Sequence, residues 1–140
     1  MKCHNVKDKS IIIFQQVYDG RVVTIFNQPD TPNLYGFSIV DEKYRNKQKY
    51  TTWDCLLLDK ESLIKICNFI KNQQYLIQSL YVKCNCFSEL LEVSDLSNII
   101  YLTIWDNYFS RYNKKIFKSD AWLLYDEAQE FANTLLSKLS

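Results

Sequence analysis

The sequence contains very little glycine, proline or histidine. Its 140 residues include two glycines, two prolines and one histidine, His4. A glycine-rich loop that cradles phosphate is excluded, because the glycines lie apart, Gly20 in a predicted turn and Gly36 in a predicted strand. Because glycine and proline are also the residues typical of linkers, their scarcity predicts one ordered domain over residues 1–140.

A long apolar run is also missing. No stretch reaches the roughly 18 apolar residues that a membrane-spanning helix needs, and residues 1–9 lack the apolar core and cleavage site of a signal peptide. The five cysteines form an odd set, which favours reduced thiols over a disulfide framework. The net charge of +1 gives no overall attraction to nucleic acid or to an anionic membrane. We therefore expect a soluble protein of the cytosol.

Groups that commonly perform catalysis are sparse. A nucleophile needs a base that is oriented by a third group, and His4 alone is poorly suited to that role. Cys84 and Cys86 have no second pair at zinc-finger spacing, which disfavours a metal site. Carboxylates such as Glu89 and Glu92 could in principle act as an acid-base pair. We expect no catalytic residues, no cofactor and no bound metal.

The apolar patterning of what is present predicts strands over much of the chain. Segments 11–18 and 21–26 flank Asp19-Gly20, which is the strongest short-range signal for a hairpin. The segment 88–97 is interpreted as a short helical turn. The remaining predicted strands lie at residues 34–40, 50–58, 80–87 and 98–105 and near 121–124.

Two amphipathic helices complete the prediction. The first runs from Lys60 to about Gln74 with Asp59 as its N-cap, and the second is predicted to be capped by Asp126. Both place apolar residues at a period of 3.6 and should pack on a sheet. The chain is thus predicted to be α+β, an antiparallel sheet of about six to seven strands with two helices packed on one face.

The two parts of the chain share an order of elements. Residues 37–70 and 102–136 both contain a strand, a charged turn, a strand, an aspartate cap and a helix. Residues 38–41 correspond to 103–106, and residues 56–59 to 123–126, if an insertion is allowed in the second turn. A duplicated βββα-type unit is therefore a hypothesis.

Two turns, at residues 43–50 and 108–118, interleave basic and aromatic residues. Cations that follow phosphates and rings that stack on bases suit single-stranded nucleic acid, whereas Tyr and Arg are also enriched at protein–protein hot spots. A solvated hairpin tip is the third interpretation. The candidate partner-binding residues are Tyr44, Arg45, Lys47, Tyr108, Arg111 and Tyr112.

The three tryptophans divide between core and surface. Trp53 and Trp122 precede apolar runs and are predicted to lie in the core. Trp105 stands beside Asp106 at a predicted strand end and is predicted to be an anchor at the rim of an interface.

The strand-turn-strand-Asp-helix order of residues 37–70 and 102–136 resembles the repeat of single-stranded nucleic-acid-binding folds of the PC4, Whirly and Pur type. The length, scarcity of glycine, richness in Tyr, Trp and Asn, and amphipathic segment 120–131 resemble small immunity proteins of contact-dependent growth inhibition and related bacterial toxin systems. Some of those proteins have a Whirly-like architecture. The second resemblance implies a cytosolic protein that occludes the active site of a toxin.

We therefore favour a binding protein that neutralises a partner protein, a toxin or another enzyme, without catalysis. The alternative is a single-stranded nucleic-acid-binding protein that uses the same two turns. A phage anti-defence inhibitor is physically equivalent to the first hypothesis. No membrane partner is expected.

Overall fold

The computed structural model describes residues 11–28, 31–44, 55–72, 77–83, 89–106 and 116–140. The helices are α1 (Lys60–Lys71) and α2 (Tyr125–Leu139), and a short 3-10 helix spans Glu42–Tyr44. The strands are β1 (Ile11–Tyr18), β2 (Arg21–Gln28), β3 (Thr31–Asp41), β4 (Cys55–Asp59), β5 (Gln78–Lys83), β6 (Glu89–Asp95), β7 (Ile99–Asp106) and β8 (Ile116–Leu124).

These strands form two antiparallel sheets of four strands each, in the orders β1-β2-β3-β4 and β5-β6-β7-β8. One helix follows each sheet along the chain. The predicted α+β class, with antiparallel strands and two amphipathic helices, is confirmed, although the described strands number eight and belong to two sheets. None of the helices in the described ranges is long and apolar enough to cross a membrane.

The helical turn predicted at residues 88–97 is wrong, because this segment contains strand β6. β6 pairs with β5 on one side and with β7 on the other. The alternation of apolar and polar residues covers only Leu91 to Ser94, and the apolar Leu90 interrupts it at the start. Four alternating residues are the shortest pattern that indicates a strand, so the signal for β6 was weak.

The Asp19-Gly20 hairpin forms as predicted. Both turn residues have positive φ angles, 48° at Asp19 and 76° at Gly20, as the tightest hairpin turns require. Tyr18 pairs with Arg21 across the turn. The hairpin therefore follows from two adjacent residues alone.

The two helices begin differently. Asp59 caps α1 as predicted, since its Oδ1 accepts a hydrogen bond from the amide of Ser62 at 2.7 Å. The prediction that Asp126 caps α2 is wrong, because the N-cap is Leu124, whose amide donates to the Glu127 side chain at 2.9 Å. β8 continues directly into α2, so Asp126 lies inside the first turn, where its negative charge interacts favourably with the helix dipole.

The chain consists of two ββββα units, β1–β4 with α1 and β5–β8 with α2. Their sequences align without an insertion from β3 and β7 onward. Leu34 pairs with Asp59 in the first unit, and Ile99 pairs with Leu124 in the second. The buried residues of α1 (63, 66, 67 and 70) and those of α2 (128, 131, 132 and 135) keep the same separation of 65 residues. The insertion assumed from pairing Asp59 with Asp126 is therefore unnecessary, since Asp59 is equivalent to Leu124.

One hydrophobic core includes residues of both units. α1 and α2 pack against each other, and Gln129 on α2 donates to the carbonyl oxygen of Ile70 on α1 at 2.9 Å. The rings of Phe14 on β1 and Phe131 on α2 meet edge to face at 5.0 Å. The units are thus joined through their helices and through contacts of each helix with the other unit's strands.

The two sheets differ in how they are covered. In the first sheet, alternate residues of β2 point to opposite faces, yet Val22, Val23, Thr24 and Ile25 are all fully buried. In the second sheet, the face that points away from the helices is covered along β6 but carries strongly exposed side chains on the outer strands β5 and β8. These two strands hold the large exposed aromatic residues in the described part of the chain.

Candidate functional site

The site proposed as functional is the outer face of the second sheet, defined as the face turned away from the helices. Leu91, Leu102 and Leu123 belong to the helix-side core, so their neighbours along each strand point outward. The outer face comprises Ser79, Tyr81 and Lys83 on β5, Leu90, Glu92 and Ser94 on β6, Ile99, Tyr101, Thr103 and Trp105 on β7, and Phe117, Asp120, Trp122 and Leu124 on β8.

Large side chains on this face remain exposed. The exposed fractions are 52% for Tyr81, 53% for Phe117, 49% for Trp122 and 63% for Leu124. Leu57, the equivalent of Trp122 in the first sheet, is 3% exposed. Because exposed apolar patches on proteins often mark interaction sites, this face is the candidate interaction surface among the described residues.

Glu92 lies at the centre of a hydrogen-bond network on the outer face. Its Oε1 accepts from the Trp105 indole nitrogen at 2.9 Å, and its Oε2 accepts from the Tyr81 hydroxyl at 3.2 Å. Ser79 and Ser94 also donate to Oε2, each at 3.2 Å. One carboxylate therefore orients two aromatic side chains of the surface.

These contacts change the acidity of the groups involved. Burial raises the pKa of Glu92, but hydrogen bonds from Trp105 and its other donors outweigh that effect and lower the pKa below its usual value. The negative charge of Glu92 raises the pKa of Tyr81. At neutral pH Glu92 is thus ionised and Tyr81 is a hydrogen-bond donor, which is the state that the network requires.

A second group of aromatic and acidic side chains lies where β8 approaches the β1–β2 turn. The Trp122 indole nitrogen donates to Asp19 in the turn, and the Tyr101 hydroxyl donates to Asp120. The two rings meet edge to face at 6.3 Å. The hydrogen bond to Asp120 is the main reason that the pKa of Tyr101 rises to about 12.

Arg21 links the two units beside this group. Its Nη1 lies 3.1 Å from Asp41 Oδ2 in the first unit, and its Nε lies 3.9 Å from Asp120 Oδ1 in the second. Both carboxylates are only partly exposed. The edge of the outer face is therefore fixed by charged contacts between the units.

The carboxylates Glu89 and Glu92 of the second sheet make separate contacts. Glu89 lies on the helix side and pairs with Lys118 at 3.2 Å, so it does not face Glu92 and the acid-base pair considered from sequence is not formed. Within the described ranges, no three His, Cys, Asp or Glu side chains are grouped to hold a metal ion. On the outer face, the carboxylates of Glu92 and Asp120 accept hydrogen bonds from aromatic side chains.

The structure does not test the residues predicted from sequence to bind a partner. Arg45, Lys47, Tyr108, Arg111 and Tyr112 lie outside the described residues. The backbone of Tyr44 forms the end of the 3-10 helix, and its side chain is not described. These residues therefore stay predictions. His4, Trp53, Cys84 and Cys86 also fall outside the described ranges.

The tryptophan predictions have mixed outcomes. The core position predicted for Trp122 is wrong, because Trp122 lies on the outer face of β8, whereas its neighbours Ala121 and Leu123 are buried on the helix side. Trp105 is half-buried on the outer face and bonded to Glu92. Sequence reasoning did not assign Tyr81, Glu92 or Asp120 to a binding surface, and it considered Glu92 only as part of an acid-base pair. The alternation Tyr81-Val82-Lys83 was the one available signal, since it places Tyr81 on the polar face of a strand.

No protein-family model, no curated protein and no solved structure matches this chain.

Proposed function

We propose that the protein is a cytosolic, non-catalytic binding protein that neutralises a partner protein through the outer face of the second sheet. The partner class is the one expected from sequence, a toxin or another enzyme whose active site is occluded. The observation that carries the proposal is the exposed aromatic surface whose rings are held by carboxylates, Trp105 by Glu92 and Trp122 by Asp19.

The composition of the surface supports a protein partner. Tyr and Trp supply much of the binding energy at protein–protein interfaces, and rings that are already fixed lose little conformational entropy on binding. The edge-to-face contact of Trp105 with Phe117, at 6.1 Å, holds a further ring in place. The face is therefore organised before any partner arrives.

The charges of the face favour protein over nucleic acid. Single-stranded nucleic acid is bound by rings together with cations that follow its phosphates. Here Glu92 and Asp120 lie among the rings, with Lys83 the only basic side chain of the outer face as defined above. A phosphate backbone laid across this face would meet carboxylates, whereas a basic protein surface would be attracted.

A growth assay tests the proposal. The chain is co-expressed with the product of each gene that flanks its own, and a flanking product that arrests growth is taken as the toxin. Growth is then measured for the wild type, Tyr81→Glu and Phe117→Glu. Both substitutions put a charge on the outer face and should abolish protection. Ile11→Glu is the matched control, because Ile11 is 63% exposed on β1 of the first sheet and should leave protection intact.

Each outcome of the assay is decisive once circular dichroism confirms that the variants fold. Protection that survives both outer-face substitutions contradicts the proposal. The nucleic-acid function would replace the proposal if a fluorescent single-stranded oligonucleotide binds the wild type and not the two variants. Its affinity should then fall steeply with salt, with a log-log slope of about −0.7 per phosphate contact.

A further inference from the structure

A cavity of about 300 Å³ lies where the β1–β2 turn of the first unit meets β8 of the second. It adjoins a second cavity of about 440 Å³ that shares Asp19 and Trp122 with it. The first cavity is lined by Asp19, Arg21, Tyr101, Asp120, Ala121 and Trp122. Its walls come from both units, so it exists only in the assembled fold.

The walls of the cavity combine aromatic rings with carboxylates. Trp122 is bonded to Asp19, and Tyr101 is bonded to Asp120, so each ring is fixed by one acidic side chain. The ring planes are inclined at 69°, which gives two differently oriented aromatic surfaces. A cation is attracted by the face of an aromatic ring and by a carboxylate, and this cavity presents both.

The charge balance of the cavity leaves room for an added cation. Arg21 is its one basic lining residue, and its closest carboxylate is Asp41, at 3.1 Å, outside the cavity. Asp120 is farther from the guanidinium, at 3.9 Å. Asp19 accepts a hydrogen bond from the Trp122 indole nitrogen. The two negative charges of Asp19 and Asp120 thus exceed the single positive charge of Arg21.

We infer that this cavity binds a lysine or arginine side chain of the partner protein, between Trp122 and the carboxylates of Asp19 and Asp120. This inference rests on the proposed function and adds the chemical nature of one anchoring residue of the partner. The neighbouring cavity, lined in part by Ile99, Leu123 and Leu124, accommodates the aliphatic part of such a side chain.

Nuclear magnetic resonance with small probes tests the inference without the partner. Capped tripeptides with lysine, arginine or norleucine between two glycines are titrated into the ¹⁵N-labelled full chain. The indole N–H signal of Trp122, assigned by Trp122→Phe, should shift with the lysine or the arginine peptide. Norleucine has the same aliphatic length without the charge and should leave the signal unchanged.

Carboxylate variants identify the cavity. Asp19→Asn and Asp120→Asn should each weaken binding of the basic peptide by roughly fivefold to tenfold. Asp126→Asn, an exposed carboxylate outside the cavity, is the matched control and should bind like the wild type. An unchanged Trp122 signal, an equal response to norleucine, or equal weakening by Asp126→Asn would each overturn the inference.

The failure of this inference can be separated from failure of the proposed function. If the peptides do not bind while Phe117→Glu still abolishes protection in the growth assay, the cavity is not an anchor site and the outer face keeps its role. Phe117 does not line the cavity, so the two experiments perturb different residues.

Discussion

Trp105 and Glu92 are joined across neighbouring strands by a hydrogen bond of 2.9 Å from the indole nitrogen to Oε1. The two residues lie on β7 and β6, and neither is placed beside the other by local sequence. The bond links the stability of the second sheet to the orientation of its outer-face rings. Its loss should therefore affect both.

Glu92→Gln should destabilise the protein at neutral pH and much less in acid. The folded-state pKa of Glu92 is lowered, so its stabilisation is present above the unfolded pKa of about 4.3 and is lost as pH falls through the folded pKa. At pH 7 we expect a loss of about 1–2 kcal/mol in unfolding free energy, measured by urea denaturation.

A shrinking difference between wild type and Glu92→Gln as the pH falls below 4 is the expected result. Glu42→Gln is the control, because Glu42 is exposed in the 3-10 helix and should change stability little at either pH. An equal loss at both pH values would show that the charge of Glu92 is not the stabilising feature.

Gly36→Ala should destabilise the first sheet through Phe26. Gly36 pairs with Phe26 across β3 and β2, and an added Cβ would lie 2.0 Å from Phe26 Cζ. Overpacking of this kind costs about 1–3 kcal/mol of unfolding free energy. In a Phe26→Ala background the same substitution should cost much less, which a double-mutant cycle measures.

Gly20→Ala provides the contrast, because its φ is +76° and nothing lies within 4 Å of an added Cβ. Its cost is one of backbone conformation and should be independent of Phe26. A Gly36→Ala cost that is unchanged by removal of the Phe26 ring would contradict the steric explanation.

Asp59→Ala should cost more than Asp126→Ala. The Asp59 carboxylate accepts the Ser62 amide at the start of α1, and loss of such a cap typically costs about 1 kcal/mol. Asp126 contributes only its charge near the start of α2, worth about 0.3–1 kcal/mol at an exposed site. Thermal unfolding of both variants, with Asp59→Asn as the cap-preserving control, measures the difference.

A larger loss in Asp126→Ala than in Asp59→Ala would contradict the capping geometry observed. Recovery of stability in Asp59→Asn is expected because asparagine also accepts the amide. If asparagine fails to restore it, charge is the main contribution of Asp59.

Cys67 should be inert in the folded protein. The residue is fully buried, and this burial raises the pKa of its thiol to about 12 despite the opposing effect of Lys71. Because the thiolate is the reactive form, a thiol reagent should not modify Cys67 at pH 8. The measurement uses a Cys3→Ser, Cys84→Ser, Cys86→Ser variant, which leaves Cys55 and Cys67.

The two remaining thiols, both buried, should react only after urea unfolds the chain, and their reactivity should follow the unfolding curve. Rapid modification in the absence of urea would show that the core around α1 opens readily.

Local features of the fold were predictable from sequence, while pairing between distant segments was not. The hairpin at Asp19-Gly20 and the cap at Asp59 depend on residues within three positions of each other. β6 was missed because its alternation covers only four residues, Leu91 to Ser94, and is interrupted by Leu90. The Asp126 cap was wrong because α2 already begins at Tyr125, with Leu124 as its N-cap, so that Asp126 lies within the first turn.

The candidate site was less predictable than the fold. Trp122 precedes an apolar run and Leu57 lies in one, yet Trp122 is half-exposed and Leu57 is buried. Whether an apolar residue of a strand faces solvent depends on what covers that face, and this is a property of the packed chain. The basic aromatic turns remain a prediction that lies outside the described residues.

The sequence by itself determined the α+β class, the first hairpin, both amphipathic helices and the repeated order of elements, because turn conformation, capping and apolar period act between near neighbours. The tertiary structure decided the division into two sheets and the exposure of one face. It also brought together Trp122 and Asp19, which are 103 residues apart. Contacts at such separations form only when whole elements pack, and no local pattern encodes them.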